Sequence, residues 1–111
     1  MSAIDRVKQH YHDLGTKSLA VPEWGEPGAP LAIYWTPLTA REHRKLTSAN
    51  DGLSARLLVS ALILKAHDRS GKPLFEETDR PALMEQADIQ VVRRVALAIM
   101  GEFSVEETEK N

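Results

Sequence analysis

Apolar positions along the chain fall into stretches of helical and of alternating spacing. Ile4, Val7, Tyr11 and Leu14 recur at intervals of three and four, which predicts a helix over about 3–14 with one apolar stripe. Ser2 is placed to cap that helix and Gly15 to stop it. A terminal helix this short docks late or stays mobile. The pattern then changes to period two. Lys17 to Val21 reads as a short strand, and Leu31 to Thr36 as a better one, with Leu31, Ile33 and Trp35 on one face and Ala32 and Tyr34 on the other. Between them, Pro22 to Pro30 carries three prolines and two glycines, which predicts a loop joining two strands of a hairpin. Two strands are marginal alone in water, so the hairpin must lean on helices. Pro37 ends the second strand.

Helical signals return with Thr39-Ala40-Arg41-Glu42, a capping box opening a mostly polar helix over about 40–49 that ends at Asn50-Asp51-Gly52. The run from Ala55 to Ala66 is apolar on nearly all sides, so periodicity does not separate a buried helix from a buried strand. Its length and its Leu and Ala content favour a helix, and its apolarity makes it the expected centre of the core. Asp68-Arg69-Ser70-Gly71 reads as a turn, followed by a short extended stretch from Lys72 to Phe75. Thr78 or Asp79 is placed to cap a short helix with Pro81 in its first turn. Asp88 caps the last long helix, about 89–100, where Ile89, Val92, Ala96 and Ile99 form a stripe widened by Val91, Val95 and Ala98. Arg93 and Arg94 are expected to face solvent, and Gly101 to close the helix. Ser104-Val105-Glu106-Glu107 opens a short acidic helix over 104–111. The expected fold is therefore α+β and mainly α-helical: one domain over 1–111, with an N-terminal helix in 1–16, a β-hairpin in 17–36 and a helical core in 39–101.

Composition narrows the chemistry. The chain has 111 residues, net charge −2, 42% hydrophobic and 27% charged residues and no cysteine. Those proportions are ordinary for a soluble one-domain protein. Without cysteine there are no disulfides, thiolate metal sites or Cys nucleophiles. The N-terminus lacks the apolar core of a signal peptide, and the run Leu57 to Leu64 is far short of the roughly 20 residues that span a bilayer. His10, His12, His43 and His67 show no zinc-type spacing, and His10 and His12 point to different sides of a helix. No serine lies in a nucleophile elbow. Gly25-Glu26-Pro27-Gly28 offers too few N–H donors for a phosphate cradle, and Asp68 to Gly71 does not continue as a calcium loop. Arg41, Arg44 and Lys45 on one helix and Arg93 and Arg94 on another are diluted by Glu42, Asp51, Glu85 and Asp88, which speaks for solvated faces rather than nucleic-acid binding. The expectation is no enzyme, no cofactor, no metal, no nucleic acid and no membrane.

Of the six aromatic residues, Trp24, Tyr34 and Trp35 lie in or beside the hairpin. Trp35 belongs with the core pattern, while Trp24 reads equally as a lid over the core or a partner contact. In their order of appearance, Val21-Pro22-Glu23-Trp24-Gly25, the aromatic strand before Thr39-Ala40-Arg41-Glu42, the run Leu57 to Leu64, Asp68-x-x-Gly71-Lys72-Pro73-Leu74-Phe75, the Val91 to Met100 helix and the closing Ser104-Val105-Glu106-Glu107 carry a resemblance. The chain resembles the tail assembly chaperones of long-tailed, non-contractile phages and prophages. It departs from them in Arg69-Ser70, where a more acidic turn is usual, and in its longer Pro-rich loop. The resemblance implies a small helical protein with a hairpin, without catalysis. Such a protein self-associates in the host bacterial cytoplasm and keeps the tape measure protein soluble while major tail protein polymerises around it. The candidate contact residues are Trp24 and Tyr34 on the hairpin and Ile89, Val92 and Ile99 on the last helix. The competing reading is another tail component of similar size, such as a tail-completion or head–tail connector protein.

Overall fold

The computed structural model describes residues 2–48, 52 and 54–101. The expected acidic helix over 104–111 lies outside the described residues, as does the end of the polar helix at 49–51. In chain order the elements are α1 (Ala3–Leu14), β1 (Lys17–Glu26), β2 (Ala29–Trp35), α2 (Ala40–Ser48), α3 (Ala55–Lys65), a 3-10 turn (Glu77–Asp79), α4 (Arg80–Glu85) and α5 (Ile89–Met100). Among the described residues the fold is α+β, with five helices and one antiparallel hairpin near the N-terminus.

Local chemistry accounts for most boundaries. Ser2 Oγ accepts from the Asp5 N–H at 3.2 Å and starts α1, and Gly15 ends it with a positive φ of 67°. The Thr39 box forms in full: Glu42 N–H donates to Thr39 Oγ1 at 3.2 Å, and Thr39 N–H donates to Glu42 Oε1 at 3.0 Å. Ser54 Oγ accepts from Leu57 N–H, and Asp88 Oδ1 accepts from Gln90 N–H, so α3 and α5 are also capped by side chains. Asp79 is the residue before α4, but its carboxylate accepts from the Glu76 N–H at 2.8 Å instead of from the helix. Pro81 lies in the first turn, where a missing N–H costs nothing.

The hairpin departs from expectation. The segment read as a loop, Pro22 to Pro30, is mostly strand: β1 runs to Glu26, β2 starts at Ala29, and a Pro27-Gly28 turn joins them. The ladder pairs Lys17 with Trp35, Leu19 with Ile33, Val21 with Leu31 and Glu26 with Ala29, with a register shift between Val21 and Glu26. Pro22 falls in this bulge and Pro30 opposite it, outside the paired positions. Pro27 presets the turn, and Gly28 supplies its positive φ of 76°. The bulge brings Gly25 onto β2 so closely that a Cβ there would lie 2.3 Å from the Ala29 carbonyl oxygen.

The helices hold the hairpin as expected. Val21, Ile33 and Trp35 are buried with Leu57, Leu58, Val59, Ala61 and Leu62 of α3 and Val91, Val92, Val95, Ala96, Ile99 and Met100 of α5. The ambiguous run is helix from Ala55 to Lys65, with Ala66 extended beyond it, and sits centrally, packed on α2, α4 and α5. Beyond α3 the backbone rejoins the sheet. His67 exchanges both backbone hydrogen bonds with Tyr34 at 2.9 Å and bridges in turn to Pro73, so it acts as a one-residue third strand. Asp68 Oδ1 closes the following turn by accepting from Ser70 N–H, Ser70 Oγ and Lys72 N–H.

Candidate protein-docking surface

The five sequence-predicted contact residues do not form one surface. Val92 and Ile99 are 1% and 2% exposed, so the α5 stripe is committed to the core; Val92 has no face left to present, and Ile99 only reaches the wall of a groove beside Leu14. The reason is that α3, apolar on nearly all sides, needs α5 as its cover. Ile89 alone, in the first turn of α5, is 41% exposed. Tyr34 lies on the sheet face turned away from Ile33 and Trp35, half-buried under the stacked ring of His67 at 6.5 Å. Trp24 projects from the bulge and meets Phe75 edge-on at 6.0 Å. It is half-buried and helps line an apolar groove of about 520 Å³ with Leu31, Leu74, Phe75, Leu83 and Ala87.

Three of the five exposed large hydrophobics among the described residues lie on α1. Its stripe is intact, yet none of its residues is buried. Ile4 is 58% exposed, Val7 62% and Leu14 38%. Tyr11, half-buried, ties the helix to the body by donating its hydroxyl to the Pro37 carbonyl at 2.6 Å. Leu14 leads the stripe into a second groove of about 720 Å³, formed with Trp35, Pro37, Leu38, Ala98, Ile99 and Met100, where Lys17 and His43 are among the polar neighbours. Spacing shows the stripe at once. Nothing in the sequence shows that the body leaves it uncovered, so Ile4, Val7 and Leu14 are candidates that sequence reasoning did not single out.

Charge on α1 is mixed away from its apolar stripe. At about 100° per residue, Lys8 and His10 border the apolar stripe on its two sides, with His12 and Arg6 next to them. Asp5 and Asp13 lie just beyond His12 and Arg6, about 20° further round, and Asp5 accepts from Ser2 Oγ at 2.8 Å and Asp13 from Gln9 Nε2 at 2.7 Å. None of Arg6, Lys8, His10 and His12 takes part in an ion pair among the described residues.

Elsewhere the ionisable groups serve the fold. Lys65 Nζ, 7% exposed, donates to Thr36 Oγ1 at 2.9 Å and Glu42 Oε1 at 2.8 Å. Burial pushes the Glu42 carboxyl up, but the Lys65 ammonium and the Thr39 donors outweigh it and hold the group below its ordinary range. Glu23, beside Trp24, is held low by Arg94 of α5 at 2.6 Å. Among the described residues no three His, Asp or Glu side chains gather where they could hold a metal ion, and no helix is long and apolar enough to cross a membrane. Comparison of the chain with protein families, with curated proteins and with solved structures finds no match.

Proposed function

We propose that this chain is a phage tail assembly chaperone, a non-enzymatic protein that binds apolar helical stretches of the tape measure protein. It acts in the host bacterial cytoplasm, self-associates, and holds its client soluble until major tail protein polymerises around it. The observation that carries the reading is the uncovered stripe of α1, which runs through Leu14 into the adjoining groove. An exposed apolar surface on an otherwise packed fold is suited to a client that exposes apolar helices of its own. The residue pattern from Val21 to Asn111 that resembles such chaperones supports it independently.

Magnitudes indicate how such a surface works. Covering Ile4, Val7 and Leu14 from their half-exposed state is worth about 1 kcal/mol each, so roughly 3 kcal/mol together. That alone corresponds to a dissociation constant no tighter than about the millimolar range. Useful binding therefore comes from many copies along one long client, each contact weak and the ensemble strong.

The test is co-expression with the tape measure protein encoded in the same phage genome, reading the soluble fraction of that client. The chain raises the soluble fraction, and Val7→Asp removes the effect. A soluble fraction indifferent to the chain overturns the reading. Recovery of this protein from purified particles by mass spectrometry would transfer support to a tail-completion or connector role.

A further inference from the structure

We infer that the groove beside Leu14 is taken by this chain's own segment 102–111, which lies outside the described residues, with Phe103 and Val105 as its apolar anchors. This deepens the chaperone reading, because the groove adjoins the α1 stripe assigned to the client, and it rests on that reading only for the client's identity. Two observations carry it. The first is position. Gly101, which closes α5, is itself part of the groove wall, together with Ile99 and Met100. The sequence continues from that wall as Glu102-Phe103-Ser104-Val105-Glu106-Glu107. Extended chain advances at most about 3.6 Å per residue, so Phe103 reaches no further than roughly 7 Å from Gly101, and Val105 no further than about 14 Å. A groove of about 720 Å³ with Leu14 and Trp35 on its other sides lies within that reach. Phe103 and Val105 are the apolar residues of the segment, and both fall in this stretch.

The second observation is charge. Among the described residues that line the groove, Lys17 carries the only charge at neutral pH, and no acid is present. Arg44 lies about 40° round α2 from the lining residue Ala40. Neither Lys17 nor Arg44 takes part in an ion pair among the described residues. Asp13, next to Leu14, is held by Gln9. The segment itself carries four glutamates against one lysine, so its sign complements that of the rim. Attachment to the wall gives it an effective concentration on the order of millimolar, which outcompetes a weak free ligand. The α1 stripe is then open at all times, whereas the groove opens only to a client that displaces the segment.

The chain has no cysteine, so an introduced pair reports the contact without interference. In the full chain, Ser104→Cys/Ala40→Cys places one thiol on the segment and the other on the exposed start of α2 at the groove. Mild oxidation closes a disulfide within one chain, seen as a faster-migrating monomer on a non-reducing gel. Adding Phe103→Ser slows closure about tenfold, the loss that follows when an aromatic anchor is withdrawn from an apolar site. A closure rate unchanged by Phe103→Ser means that the thiols meet through tethering alone, and overturns the inference. So does a disulfide that joins two chains in preference to closing within one, which assigns the groove to a second copy. If closure depends on Phe103 while the soluble fraction of the tape measure protein ignores the chain, the chaperone reading falls and this inference stands. If closure ignores Phe103 while the client is still kept soluble through Val7, this inference falls and the chaperone reading stands.

Discussion

Lys65 brings an ammonium into the core at the end of the most apolar helix, tolerated because two oxygens meet it at 2.8 and 2.9 Å. One of them, Glu42 Oε1, also accepts from the Thr39 N–H, so a helix cap and a long-range tie share a single atom. Lys65→Ala leaves that carboxylate without its cation, and urea unfolding should register a loss of about 2–3 kcal/mol. The pH dependence has a definite sign. Glu42 titrates below its ordinary value of 4.5 in the folded protein, so its stabilising contribution is complete above that pH and is lost as pH falls through the lowered folded value. Urea midpoints measured down through this acid range should fall more steeply for the wild type than for Lys65→Ala. The Thr39–Glu42 box was legible in the sequence because its spacing is local. The Lys65 partnership was not, since nothing near residue 65 says that the exit of β2 and the first turn of α2 converge on it.

Among elements, the hairpin shows how breakers can serve a strand. Pro22, Gly25, Pro27, Gly28 and Pro30 predict an irregular loop when counted together, yet each has a separate place in a bulge or a tight turn. Two glycines there carry different loads. Gly25→Ala forces a Cβ against the β2 backbone, which does not yield as a flexible side chain would, and should cost about 1–3 kcal/mol. Gly28→Ala meets open space and suffers only from its positive φ, for about 1 kcal/mol. Thermal unfolding of the two variants checks the order. Taken residue by residue, the Pro27-Gly28 pair marks the turn. The bulge itself depends on cross-strand register, which no short window of sequence contains. The run 55–66 is the reverse case: its periodicity was mute, but its length and its leucines sufficed for a helix.

On the scale of the molecule, two helices with similarly regular stripes have opposite fates. The α5 stripe is core from Val91 to Met100, and the α1 stripe is open. Ile99→Ala should destabilise by about 2–5 kcal/mol, whereas Val7→Asp should leave the urea midpoint within the equivalent of about 0.5 kcal/mol. Equal losses in the two variants would mean that α1 is part of the core after all. Amphipathicity alone could not distinguish the pair, because periodicity records that a face is apolar and not what covers it. The difference comes from α3, which takes α5 as its neighbour, while α1 is joined to the body through Tyr11 and Leu14.

That slender attachment uncouples the first helix from the interior. Substitutions on its outer half never reopen the packing problem solved inside, so this surface is free to diverge while the body that carries it stays the same.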